Sequence, residues 1–243
     1  MRTFAKKNTG LSISENVYYT LRQNIVNLNF KPGQILNIHE ITEKLEVSRT
    51  PVREALIRLE REGLVDVIPQ VGTSVSKIDL DRIEEEQFIR SSLEEKALEL
   101  CLQKDIKLLL IELEKTLLHQ EIGLKDSDAI IFLDWDDEFH HSVFHFAEKE
   151  LSWNLIQKNS SHYRRIRIMT LWNKELRNSV FEQHKEIYSF IKRKDLKTVS
   201  SLILDHFSRI HSQEKELLLV YPDYFRSAIQ TVDPLIINYI QSR

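Results

Sequence analysis

The chain has 243 residues, 42% of them hydrophobic and 29% charged, a composition that describes a soluble globular protein with room for one large domain or two ordinary ones. No basic segment followed by an apolar run stands near the N-terminus and no apolar run reaches about 18 residues, so a secretory leader and a membrane span are unsupported and the expected compartment is the cytoplasm. The single cysteine, Cys101, excludes an intramolecular disulfide and falls in the apolar stretch Ala97 to Leu102, a core position. The net charge of −3 is unevenly divided: residues 1–78 carry 11 Lys+Arg against 8 Asp+Glu, the remainder 23 against 29, so the positive charge that phosphate contact requires lies at the N-terminal end.

Residues 1–11 hold Lys6 and Lys7 without periodicity and read as a loose arm. Val17, Leu21, Ile25 and Leu28 recur at helical spacing and predict a first helix from about Ser14 to Leu28, after which Lys31-Pro32-Gly33 breaks the chain. Asn37 with Glu40 forms a capping-box pattern ahead of the apolar face Ile38, Ile41 and Leu45. Only Glu46 and Val47 then precede Ser48, whose hydroxyl is expected to cap a third helix that has Pro51 in its first turn. Val52, Ala55, Leu56 and Leu59 form the buried stripe of that helix, while Arg49, Arg53, Arg58 and Arg61 leave it for solvent and Gly63 closes it in the left-handed region. The pair predicts a helix-turn-helix with Ser48 to Glu62 entering a major groove; the alternative is a basic surface on an ordinary amphipathic helix. Leu64 to Ile68 and Thr73 to Lys77, either side of Pro69-Gln70-Val71-Gly72, predict a hairpin, the wing, whose tip and Thr73 can approach the backbone or minor groove or else only close the small core.

From about Ile78 glycine almost vanishes and helical stripes follow one another. Six helices are predicted, near 80–102, 104–122, 127–148, 151–172, 175–193 and 195–219, and short connections make them an antiparallel bundle. Lys77 to Arg82 joins wing to bundle without glycine or proline, so it is expected to pass on motion rather than act as a loose tether. The fold class is therefore mainly α: a winged helix-turn-helix DNA-binding domain over 1–77, an all-α helical bundle over 78–219, and an extension over 220–243, with one apolar run at Leu235 to Ile240 and no assigned role.

The run KPGQIL, the residues EKLEVSRTPVREAL and the ending RLEREGLV resemble the winged-helix domain of the GntR family of bacterial transcription regulators. One departure is Glu46, where that family usually has glycine; at positive φ a side chain there costs ~1 kcal/mol. The resemblance implies a double-stranded DNA operator with two-fold-related half-sites, a homodimer, and DNA contacts from Ser48, Arg49, Thr50, Arg53, Gly72 and Thr73.

Histidines mark the bundle. Phe132, Asp136, Phe139, His140, Val143 and Ala147 share the inward face of the third bundle helix, with Asp137, His141, His145 and Glu148 on the opposite, solvent face. His184 lies on the stripe Val180, Ile187, Ile191, and His206 on the stripe Val199, Leu202, Ile210. A lone histidine on an apolar stripe is usually a satisfied core residue, but three with a carboxylate are costly unless something pairs them, and a divalent cation would. Periodicity alone leaves both outcomes open. The segments DDEFHHSVFHFA, EQHKEI and LDHF resemble the ligand-binding domain of the FadR/FCD subfamily, with a six-helix count similar to the vanillate-regulator branch. That resemblance implies a metal of the zinc or nickel kind at Asp136, His140, His184 and His206, and a small organic acid effector assisted by Arg90. Of Arg164, Arg165 and Arg167, one is expected to reach the pocket and at least two to be solvated surface charge. The leading expectation is a transcriptional regulator, a repressor or an activator, and not an enzyme. Competing readings are a metal-dependent hydrolase, disfavoured because no HExxH and no further inward carboxylate occur on the ligand-bearing stripes, and a purely structural metal.

Overall fold

Ser12 starts the first helix: in this computed structural model its hydroxyl accepts the Glu15 N–H at 3.2 Å and its own N–H donates to Glu15 at 2.9 Å, a capping box that opens α1 (Ile13–Val26). Residues 10–125 and 128–226 are described, so most of the N-terminal arm and the run Leu235 to Ile240 lie outside them. The chain splits into two compact units, Met1–Leu80 with Leu218–Arg243, and Asp81–Leu217.

In the first unit α2 (Ile38–Leu45) begins at Asn37, whose Oδ1 accepts from His39 N–H at 3.0 Å and Glu40 N–H at 3.4 Å. The expected box closes differently: Asn37 Nδ2 donates to the Glu40 side chain at 3.2 Å. α3 (Arg49–Arg61) begins at Ser48, but the serine hydroxyl makes no capping bond, contrary to expectation. Its third residue is Pro51, which has no N–H, so one of the two donors that an N-cap side chain engages is missing. Gly63 at φ 71° lets its N–H reach the Glu60 carbonyl and the Leu64 N–H reach the Leu59 carbonyl, both at 2.9 Å, a Schellman closure.

Leu21, Ile25, Val52, Leu59, Leu64 and Val75 form the core where α3 packs on α1. A three-stranded antiparallel sheet, β1 (Ile35–Leu36), β2 (Val65–Ile68) and β3 (Gly72–Val75) in the order β1-β3-β2, pairs Val65 with Val75 and Ile35 with Ser74. β2 and β3 are the expected wing. β1, only two residues long, carries no periodicity that could announce it.

The second unit holds α4 (Leu80–Leu102), α5 (Lys107–Gly123), α6 (Ala129–Phe146), α7 (Glu150–Lys158), α8 (Ser161–Leu171), α9 (Lys174–Lys192), α10 (Leu196–Ser208) and the start of α11 (Ile210–Val220). Two of the six expected helices are interrupted. The fourth breaks at Asn159, at φ −110° and ψ 17°, where the asparagine side chain donates to the Leu155 carbonyl at 2.8 Å and competes with the backbone. The sixth is interrupted only locally, since Arg209 keeps φ −58° and ψ −26°. α5 packs along α6 and α9, and α9 along α8 and α10. Among the described residues no helix is long and apolar enough to cross a membrane.

Glu46 joins α2 to α3 at φ 54° and ψ 44°, the left-handed region that costs a side chain about 1–2 kcal/mol. Glu46→Gly is expected to raise the stability of the protein by roughly 0.5 kcal/mol, the strain relieved exceeding the extra unfolded-chain entropy of glycine. A urea titration checks this, and a lowered midpoint would show that Glu46 makes a contact worth more than its strain.

Candidate functional site

The buried stripe of α3, Val52, Ala55, Leu56 and Leu59, fixes which face of the helix is turned outward. Ser48, Arg49, Thr50 and Arg53 are all exposed, clustered on the first turns, and Gly72 is exposed at the wing with Thr73 half-buried. Arg58 is otherwise engaged: its guanidinium stacks on the Tyr18 ring at 3.5 Å and pairs with Glu62 at 3.4 Å. A helix N-terminus carrying two arginines four residues apart beside an exposed hairpin is the arrangement that reads a DNA groove.

In the second unit the side-chain caps Asp128, Asn173 and Asp195 set where α6, α9 and α10 begin, and so the facing of the residues they carry. Asp136, His140, His184 and His206 converge, with one ligand-type atom of each within 4.8 Å of all the others. Each imidazole is held by an oxygen on its Nδ1: His140 by Glu94, His184 by Gln120 at 2.7 Å, and His206 by Gln183 at 3.2 Å. An Nδ1–H donated to each oxygen leaves the lone pair on Nε2. The three Nε2 atoms turn inward. Those of His184 and His206 are 3.3 Å apart, and that of His140, fully buried, has no hydrogen-bond partner and lies 3.7 Å from Asp136. Phe139 stacks on the His184 ring at 4.5 Å and fixes its plane. Burial depresses the His140 pKa to about 3 and those of His184 and His206 well below the ordinary value, so all three rings are neutral at pH 7. Burial also pushes Glu94 up to about 8, against the pull of Arg90.

Glu94, Gln120 and Gln183 were not anticipated. Glu86, Arg90, Glu94, Ala97 and Cys101 share the buried face of α4, so an inward carboxylate does exist, on a helix that carries no ligand. The repeat of Glu86, Arg90 and Glu94 at intervals of four was the available signal.

Asp137 corrects an expectation: it does not face solvent with His141 but is buried, accepting from Arg90 at 3.3 Å and from Arg164 and Arg167 at 2.7 Å each. Although burial alone would raise its pKa, the three guanidinium charges hold the carboxyl far below the usual range. The arginines of α8 are not solvated either. Arg165 is fully buried and donates to His162 at 3.1 Å, Arg164 also pairs with Asp134 at 2.7 Å, and Arg167 bridges Asp136 and Asp137. Beside the cluster lies a cavity of about 200 Å³ walled by Asp136, Tyr163, Arg167, Gln183, His206 and Arg209, among others. Arg90 does not line it. It is 1% exposed, surrounded by the rings of Phe207, Trp153 and Tyr163, and two of its nitrogens have no hydrogen-bond partner.

Residues 13–75 match the bacterial regulatory proteins of the gntR family, and residues 87–209, half of the chain, match the FCD domain. The chain belongs to the GntR family. Within that family, the HTH-type transcriptional repressor RspR of Escherichia coli (strain K12) is 27% identical over 213 residues, 88% of this chain and 93% of that protein. The gluconate operon transcriptional repressor of Bacillus subtilis (strain 168) is 26% identical, over 88% of each chain. Among solved structures, E. coli McbR/YncC shares the fold with a TM-score of 0.70 at 22% identity, covering 84% of this chain and 99% of that one. This GntR protein is a DNA-binding transcriptional regulator and not an enzyme.

The α8 arginines of this GntR regulator are positioned from α4. Glu86 accepts the N–H groups of His162 at 2.9 Å and Tyr163 at 2.8 Å, taking the place of the capping side chain that Ser160 does not supply. Burial pushes the Glu86 carboxyl from its ordinary 4.5 to about 7, against the backbone bonds and Arg82. Because the folded state binds this proton more tightly, the stabilisation is present below pH 4.5 and is lost as pH rises to about 7. Relative to Glu86→Gln, whose amide oxygen can still accept, the parent is expected to lose stability between pH 5 and 7; the buried histidines titrate alike in both proteins. Thermal unfolding of the two at both pH values measures the difference, and a parent that gains on the variant over this range would refute the assignment.

Proposed function

We propose that the protein is a cytoplasmic repressor that binds its operator as a homodimer on two-fold-related half-sites and responds to a small organic acid bound beside a divalent metal ion. The observation that carries the metal is the convergence of three Nε2 lone pairs next to the Asp136 carboxylate, each fixed by an oxygen on Nδ1. Two lone pairs 3.3 Å apart repel unless a cation lies among them. The donor set fits zinc or nickel, held by Asp136, His140, His184 and His206. When bound, the ion supplies a Lewis acid toward an effector carboxylate.

The chain's own residues do the rest. The adjoining cavity, about 200 Å³, has room for a small acid. Arg167 lines it as a planar donor while Tyr163, Gln183 and Arg209 offer further polar groups. Arg90, expected in that role, instead steadies the wall from behind by holding Asp137, which in turn holds Arg167. In the DNA-binding unit Arg49 and Arg53 read base edges or phosphates, with Ser48, Thr50, Gly72 and Thr73 as neighbouring contacts, and one helix per chain reads too few base pairs to be specific without a second copy.

His184→Ala is expected to weaken zinc binding by more than about 100-fold, and Gln120→Ala, which removes only the orienting oxygen, by roughly 10- to 100-fold, as measured by calorimetry on metal-stripped protein. Both should keep operator binding while losing its release by added organic acids, tested by electrophoretic shift. A folded, metal-free His184→Ala protein that still releases DNA would sink the sensing mechanism and leave a structural metal or none.

Arg53→Ala is expected to cost about 1–3 kcal/mol of operator affinity and Arg49→Ala to lower the salt slope by ~1. If both leave affinity and slope unchanged, α3 is not the recognition helix.

A further inference from the structure

The chain passes between its two units twice, once at Leu80/Asp81 and again at Leu217/Leu218. The second passage leads into a segment the sequence left without a role. α11 ends at Val220, a 3₁₀ turn covers Pro222–Tyr224, and Phe225 then pairs in parallel with Ile78, just after the wing. Ile78 N–H donates to the Tyr224 carbonyl and Arg226 N–H to the Ile78 carbonyl, both at 2.8 Å. Phe225 is 2% exposed and Ile78 fully buried, so both side chains of the bridged pair are out of water. Above them the Arg226 guanidinium sits between two carboxylates, Asp66 of β2 and Asp79, at 3.3 Å from each. Asp223 passes near the turn before β1, where Gly33 adopts φ +79°.

We propose that Tyr221–Arg226 is a clasp that sets the wing for DNA binding, with Phe225 and Arg226 as its positioning residues, and that α11 carries the state of the effector cavity to it. The first half stands on the contacts just given. A two-strand hairpin is marginal by itself, and the clasp fastens its base through two backbone bonds, one buried ring and one bridging cation. Arg226 also offsets two negative charges on a unit that must approach phosphate, which Asp66 and Asp79 would otherwise oppose.

The second half rests on the effector reading. α11 lines the cavity with Ile210, Ser212 and Gln213, and the same helix runs on to Val220, immediately before the clasp. His206 lies three residues before the Arg209 interruption, and Arg209 itself is tied to α9 by a 2.7 Å bond to Ser179. The clasp grips Ile78 and Asp79, immediately ahead of α4, so the segment that follows α11 is fastened within the winged unit to the segment that precedes α4. On this proposal, a change that alters how α11 packs on the cavity is passed along α11 to the clasp and so to β2, without passing through α4.

The test uses the full chain with Phe225→Ala, Arg226→Ala and Arg226→Lys, a duplex selected by the parent from a randomised pool, and hydrogen exchange at the Ile78 amide. Phe225→Ala is expected to speed Ile78 exchange by at least about tenfold while the α6 amides stay protected. Arg226→Ala should weaken operator binding about three- to tenfold with a changed salt slope, and Arg226→Lys should recover most of it. Parental Ile78 exchange in both alanine variants, or operator affinity within about twofold of the parent in both, overturns the clasp. Arg226→Ala keeps the test decisive if Phe225→Ala fails to fold.

For the coupling, Ser212→Trp fills the cavity from its α11 side without any ligand. It is expected to change Ile78 exchange at least about threefold, and no change in a folded protein overturns the coupling. Failure of the effector reading is seen separately, as parent protein that binds neither zinc nor a carboxylate in calorimetry.

Discussion

Three neutral imidazoles with hydrogens committed on one side and lone pairs facing each other on the other are the constraint around which the bundle is built. Neutrality follows from burial, and the direction of each lone pair follows from the oxygen on Nδ1. Those oxygens and rings come from α4, α5, α6, α9 and α10, so the register of five helices is tied to one point. Ordinary side-chain packing tolerates slippage by exchanging one apolar contact for another; a hydrogen bond from Gln120 to a particular ring nitrogen does not. Gln120 is fastened a second time, donating to the Trp135 carbonyl at 3.2 Å, which leaves its oxygen no other orientation.

The DNA-binding unit was legible because each signal was local. Asn37 with Glu40 and Gly63 after an apolar stripe each act within one turn of their own helix, and the wing is a hairpin with its turn residues between its strands; the Ser12–Glu15 box is as local but went unread, the first helix being started at about Ser14 by its stripe. The Ser48 cap failed on a local detail as well, Pro51. In the bundle, the inward face of α6 revealed Asp136 and His140, and spacing marked His184 and His206. Asp137 was misplaced for a non-local reason: its helical position faces away from the α6 stripe, but α8 lies there and brings arginines that make a buried carboxylate tolerable. Glu94 escaped similarly, and Arg90 was marked only by the resemblance, since a charged pair on a helix reads as surface until its partners on other helices are known. No periodicity within Tyr221–Arg226 could have pointed to Ile78, because a parallel bridge between segments so far apart leaves no local pattern.

Under the proposed function, charge bears on the kind of effector the cavity would take. Arg90, Arg164 and Arg167 surround Asp136 and Asp137, while burial disfavours the ionised form of Glu94. Arg164 also pairs with Asp134, so three guanidinium groups face three aspartates, Asp134, Asp136 and Asp137, before any metal is present. A divalent cation among the imidazoles would add two positive charges in excess of these matched pairs, and at an effective dielectric constant near 20 unit charges 4 Å apart still interact by about 4 kcal/mol. A neutral or cationic ligand would leave that excess standing. A small anion offsets it, and one with two acidic ends could do so twice, at the ion and at an arginine on the cavity wall. Under the proposed function, selectivity for acids would follow from the charge of the ion, and Arg167, which touches both aspartates and lines the cavity, is the group placed between ligand and metal site.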